Sequence, residues 1–258
     1  MREMIIHSVR GNMVSLQHVI ILKEKKSDRY LPIWIGPSEA DAITVKLSER
    51  QTERPMTHDL LKNILSILGS ITGSTMQRVI INDLKSDTFY AQIIYEFDDG
   101  PVTASVKFIH DKNNPIDEKN SQISLIWQGQ EQRIHVARKW QETGRKFIET
   151  ESSNGLMFEL LFDESSKRWL LTKMKVDSRP SDAIALAVRT DIPIYVEDIV
   201  MDKAGIKFDL ETGKVAPLGK NITEDATGKV DEQEIKKFSA IYDFLNTLDI
   251  DDLGKRKS

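Results

Sequence analysis

Residues 173–196 read KMKVDSRPSDAIALAVRTDIPIYV, and three segments follow one another within them. Lys173–Val176 alternates basic and apolar residues, as a half-buried strand does. Ser181–Arg189 is alanine-rich and free of helix breakers. With a serine at its start and Asp182 in its first turn, it predicts a helix capped by Ser181. Ile192–Val196 returns to β-branched and aromatic residues, which favour a strand. Strand, helix and strand in close succession point to an α+β chain.

The N-terminal part has the same mixture. Met4–Val9 and Met13–Leu22 are apolar and joined across Arg10-Gly11-Asn12, which predicts a hairpin. Tyr30–Ile35 is a third strand after the charged loop Lys23–Arg29. Pro37-Ser38 opens a helix, with Ser38 as its cap and Asp41 three residues on. A second helix starts at Thr57 and carries Leu60, Leu61, Ile64, Leu65 and Leu68 on one face. Met76–Ile81 and Thr88–Tyr95 read as a strand pair around Leu84–Asp87. Its turn, Ser86-Asp87, lacks a glycine, although Asp tolerates positive φ better than most residues.

From Asp98 to Leu170 the pattern is strands (Val102–Ile109, Gln122–Trp127, Arg133–Val136, Leu156–Phe162, Trp169–Val176) between turns such as Asp111–Pro115, Gly129 and Asp163–Ser166. A helical period first returns at Arg138–Lys146. After the strand at Ile192–Val196, the polar stretch Lys214–Lys229 leads to a last amphipathic helix, Asp231–Leu248, and a tail, Gly254–Ser258, with the composition of a disordered end. The expected fold is α+β: a mixed or antiparallel sheet core with packed helices (1–97 and 171–202), a β-rich insertion (98–170) and a C-terminal extension (203–258).

Composition bounds the function. The 258 residues include no cysteine, 40 acidic and 36 basic side chains, for a net charge of −4, with 40% hydrophobic and 29% charged residues. That is the profile of a soluble globular chain long enough to bury a core. Cysteine nucleophiles, thiolate zinc sites, iron–sulfur clusters and disulfides are excluded. The start, MREMIIHSVRGN, reads as no signal peptide, and no apolar run reaches membrane-spanning length, so a cytoplasmic protein without membrane contact is expected. The mild acidity argues against coating nucleic acid by overall charge, though not against a local basic groove.

The polar residues worth chemical attention gather at three helix starts: Ser38-Glu39, Thr57-His58-Asp59 and Ser181-Asp182, the last preceded by Asp177-Ser178-Arg179-Pro180. Caps and first-turn acids stabilise helices without any chemistry. That explains the echo between Pro37-Ser38-Glu39-Ala40 and Pro180-Ser181-Asp182-Ala183 equally well. Two details point further: a histidine beside a helix cap, and Asp177 and Asp182 bracketing Arg179.

These same residues carry a resemblance. Leu31–Gly36 with Glu39-Ala40, Arg54–Leu61, Val79–Leu84, Thr88–Ala91, Asp177–Ala183 and Pro193–Val196 stand in the order and approximate spacing of the bifunctional nuclease family. The resemblance covers Met1–Glu96 and Leu171–Met201. It implies an α+β core, a wedge-shaped homodimer with a large groove, and cleavage of both DNA and RNA. Phosphodiester hydrolysis needs an activated water, a neutralised phosphate and a protonated leaving oxygen. On that reading the site comprises Glu39, His58, Asp59, Asp177, Arg179 and Asp182. His58 is then the general acid or base, Arg179 the phosphate clamp, and Asp177 an orienting group. Glu39, Asp59 and Asp182 include ligands for Mg²⁺ or Mn²⁺, and no organic cofactor is expected. Arg50 and Arg54, together with Arg133, Arg138, Lys139 and Trp140, are the candidates for holding substrate. The bland alternatives stay open: a structural ion-pair network at Asp177–Arg179–Asp182, and a solvated basic face around Trp140. At the level of function, the rival is a non-catalytic dimeric module that binds a nucleotide, nucleic acid or protein partner. An interaction scaffold docking through the C-terminal helix is a third reading.

Overall fold

A computed structural model describes residues 1–11, 18–109, 122–153, 155–208 and 215–217. These described residues form two compact units, one drawn from 1–48, 81–89 and 194 onward, the other from 49–80 and 90–193.

The first unit holds an antiparallel sheet of β1 (Arg2–Gly11), β2 (His18–Glu24) and β3 (Arg29–Ile35), flanked by β12 (Ile194–Val196), β13 (Ile206–Phe208) and β14 (Val215–Pro217) in the order β12-β1-β2-β3-β13-β14. Val19, Ile20, Ile21 and Leu22 in β2 are all fully buried, as expected of a strand covered on both faces. Pro32 of β3 pairs with Ile21 of β2 but lies beyond Arg29 and Tyr30, where β13 pairs, so on that side there is no ladder bond for the proline to lose. α1 (Pro37–Leu47) packs on β2, and α4 (Asp198–Ala204) packs on β3. The unit also takes the tip of the hairpin formed by β4 (Ser74–Lys85) and β5 (Thr88–Phe97). Ser86 and Asp87 there have φ of 45° and 62°, so this glycine-free turn does adopt the left-handed conformation.

The second unit contains α2 (Thr57–Thr72), the base of the β4–β5 hairpin, α3 (Pro180–Thr190) and a closed barrel. β6 (Val102–Ile109), β7 (Gln122–Trp127), β8 (Gln130–Glu142), β9 (Arg145–Glu151), β10 (Leu156–Asp163) and β11 (Arg168–Ser178) pair antiparallel in sequence order. β11 closes the ring by pairing with β6 through Trp169–Leu171, and continues along β5 through Lys173–Ser178. Closure removes the sheet edges that would otherwise invite aggregation. Ile123, Ile134, Val136, Ile148, Phe158 and Leu160, all buried, line its interior in register.

Several expectations are corrected. Arg138–Lys146 is the β8–β9 hairpin, with no helix. Thr143 and Gly144, at φ 48° and 78°, make a tight turn that sets Trp140 opposite Phe147. Ser38 and Ser181 do not cap their helices. Proline occupies the first helical position in both, which moves the caps back to Gly36 and Arg179 and leaves each serine one residue inside. The cap before Thr57 is Met56. The helix expected from Thr57 does form, but its apolar stripe faces solvent: Leu60, Leu61, Ile64 and Leu68 are exposed, and Gly69 is the helix's buried residue. The hairpin turn at Asn12, the turn Asp111–Pro115, the helix Asp231–Leu248 and the tail lie outside the described residues. No helix among the described residues is long and apolar enough to cross a membrane.

Candidate active site

The site is built where the starts of α2 and α3 meet within the second unit. Asp59 stands in the first turn of α2 and reaches back to accept the Met56 backbone N–H at 2.9 Å. This satisfies one of the donors that every helix start leaves open. The other side of its carboxylate accepts Arg189 Nε at 2.7 Å. Arg189, on the last turn of α3, is buried, and its Nη1 donates to the Ala185 carbonyl at 2.9 Å. A buried guanidinium without a carboxylate partner would be strongly destabilising. Asp59 and Arg189 therefore lock α2 to α3.

His58, one residue earlier, is turned to the other end of α3. Its Nε2 lies 3.2 Å from Asp182 Oδ1. Asp182 in turn accepts Arg179 Nε at 2.7 Å on Oδ2 and Arg179 Nη2 at 3.2 Å on Oδ1, a two-pronged grip between the cap residue and the first turn. Partial burial pushes the Asp182 carboxyl up, but Arg179 and His58 outweigh it, and the group is held below the ordinary carboxylate range. The imidazole is largely covered, at 14% exposure, whereas the Arg179 side chain is 67% exposed. A sheltered imidazole, a carboxylate beside it and an exposed guanidinium thus form one chain of hydrogen bonds. Such a set can grip an anionic oxygen and move a proton beside it.

The remaining candidates are placed differently. Asp177 is exposed near the end of β11, opposite Gln92, without an ion-pair partner among the described residues. Arg50 and Arg54 are exposed on the segment before α2, in the same unit as His58. Glu39 belongs to the first unit, where its carboxylate folds over Gly36 so closely that a side chain there would collide with it. On the barrel, Arg133, Arg138 and Lys139 are exposed, and Arg138 sits 4.5 Å from the centre of the Trp140 ring. Trp140 also stacks on Phe147 at 5.1 Å and 9°, an aromatic already engaged within its own hairpin.

Asp59 is committed to Arg189 and Met56, and Asp182 to Arg179 and His58. Among the described residues no three His, Asp or Glu side chains gather to hold an ion. The chemistry available at the meeting of α2 and α3 rests on His58, Asp182 and Arg179.

Arg189 was missed in the sequence reading. It falls four residues after Ala185 on the buried face of an alanine-rich helix, and a cation on such a face needs an acidic partner.

Comparison with known proteins agrees with the motif reading. A family model described as the bifunctional nuclease domain matches residues 20–123 and 148–209. It runs through much of the expected insertion and leaves out only 124–147 between its two segments. Two relatives, uncharacterized proteins from two strains of Mycobacterium tuberculosis, are each 28% identical over 252 residues, covering 98% of this chain and 98% of theirs. The barrel is therefore within the length these relatives share.

Proposed function

The chain belongs to the bifunctional nuclease domain family, and on that premise we propose that it hydrolyses phosphodiester bonds of DNA and RNA, acting as a homodimer. The observation that carries the reading is the hydrogen-bonded chain His58–Asp182–Arg179, drawn from two helices far apart in sequence. Arg179 holds a non-bridging phosphate oxygen through its exposed guanidinium. His58 takes a proton from the attacking water or gives one to the leaving oxygen, and Asp182 fixes the ring's orientation. The carboxylate acts as a positioning residue. Asp59 and Arg189 hold the two helices so that this geometry persists. Arg50 and Arg54 extend positive charge toward the strand being cut, which a chain of net charge −4 must supply locally. Arg133, Arg138 and Lys139 on the barrel add a second, weaker basic surface.

The rival is a regulatory module that binds a phosphate-bearing ligand without cutting it. The Arg179–Asp182 pair favours this reading to the extent that it neutralises the clamp. Cleavage of end-labelled single- and double-stranded DNA and RNA separates the two, with Mg²⁺, with Mn²⁺ and with chelator. The nuclease reading expects cleavage that His58→Ala lowers by at least about a hundredfold. Binding without cleavage in every condition would replace it with the rival. Cleavage lost in chelator would add a metal to the site.

A further inference from the structure

The outward face of α2 is the least explained surface of the second unit. Leu60, Leu61, Ile64, Ile67, Leu68 and Ile71 recur along one side of the helix at the 3.6-residue period, and all are exposed, Ile67 by 62% and Ile71 by 72%. The face turned inward is the poorer one. Gly69 is buried there because a Cβ would stand 2.5 Å from the Ser74 carbonyl oxygen, and Lys62, Leu65 and Ser66 line a cavity of about 440 Å³ beside it. An amphipathic helix ordinarily buries its aliphatic side. This one presents that side to solvent.

We infer that this stripe is the surface on which a second copy of the chain docks. The inference rests on the homodimer proposed above and names its interface. Three features favour a second copy over an unrelated partner. The stripe exposes on the order of 600 Å² of aliphatic surface, at the top of what monomers leave uncovered and close to the roughly 800 Å² per partner of a standard interface. From Leu60 to Ile71 its only charged residue is Lys62, which faces the cavity, so two identical stripes meet without like charges opposed. Ile64, Ile67 and Leu68 stand at its middle, where a two-fold axis would set each against its own counterpart, as an isologous contact requires. His58 lies two residues before Leu60 and three before Leu61, so each copy's site borders the interface.

Light scattering on the eluting protein at micromolar concentration tests this. Wild type is expected at twice the 29.5 kDa chain mass. Ile67→Glu with Ile71→Glu should run at the mass of one chain, with an unchanged circular dichroism spectrum, because both positions are exposed. Ile199→Glu changes an equally exposed aliphatic residue in α4 and should leave the dimer intact. A dimer that survives the double substitution overturns the interface while sparing the homodimer. A monomeric wild type overturns both, and one that dimerises only after deletion of 231–248 assigns the stripe to that segment of the same chain.

Discussion

α2 and α3 show how differently one sequence pattern can be used. Both helices repeat apolar residues with a helical period, and both start with an acid in the first turn. In α3, Ala183, Ile184, Ala185, Leu186 and Ala187 are buried, and even Arg189 is taken inside. In α2 the larger side chains are outside and a glycine is inside. Small residues let α3 sit close to its neighbours, so that its cation can reach Asp59. Bulky residues on α2 have nothing within the described chain to pack against. Periodicity marks which side of a helix is apolar. It does not say what covers that side.

Breaking α3 should cost most. Arg189→Ala removes a buried guanidinium together with its ion pair to Asp59, with an expected loss of about 3 kcal/mol in urea unfolding. Ala185→Leu forces a larger side chain into a fully buried position and should cost about 2 kcal/mol. On α2, Gly69→Ala sets helix propensity, worth about 1 kcal/mol in favour of alanine, against the collision with Ser74. The close approach is to backbone, so a net loss is expected. Ile71→Ser should change the stability of the isolated chain by less than about 0.5 kcal/mol, measured dilute enough to avoid self-association. A large loss there would mean that the stripe is packed within the chain after all.

The two helices also differ in their response to acid. The charge on α3 includes Asp182, whose pKa lies below its ordinary value of 3.8 in the folded protein. A lowered carboxylate stabilises the fold above the unfolded value, and that contribution is lost as pH falls through the folded one. The stability difference between wild type and Asp182→Asn should therefore be present at pH 7 and shrink toward pH 3. It should amount to less than about 1 kcal/mol, because the pair is partly exposed and screened. The α2 stripe, being uncharged, should show no such dependence.

Much of this architecture was legible. The strand–helix–strand reading of 173–196 holds, and the Ser86-Asp87 turn forms without glycine, with Asp87, a residue that accepts positive φ, at 62° and Ser86 at 45°. The motif blocks led to the correct family. Barrel closure was not legible, because pairing of β6 with β11 joins positions more than sixty-four residues apart, such as Ala104 and Trp169, and alternation within each strand does not encode its partner. The Arg138–Lys146 hairpin was hidden by basic residues that mimic a helical face. At the candidate site, His58, Arg179 and Asp182 could be named from sequence. Asp59's structural engagement could not, because it depends on Arg189, 130 residues away.

On the proposed function, two aspartates of the second unit part ways: Asp182 positions the imidazole for the chemistry, whereas Asp59 holds α2 to α3. The most direct measurement is the cleavage rate of a labelled single strand by Asp182→Asn and by Asp59→Asn, each normalised to its folded fraction. A loss of about a hundredfold or more is expected for Asp182→Asn. Asp59→Asn should lower stability but leave the rate per folded molecule near wild type. Equal rates per folded molecule in wild type and Asp182→Asn would remove Asp182 from the chemistry.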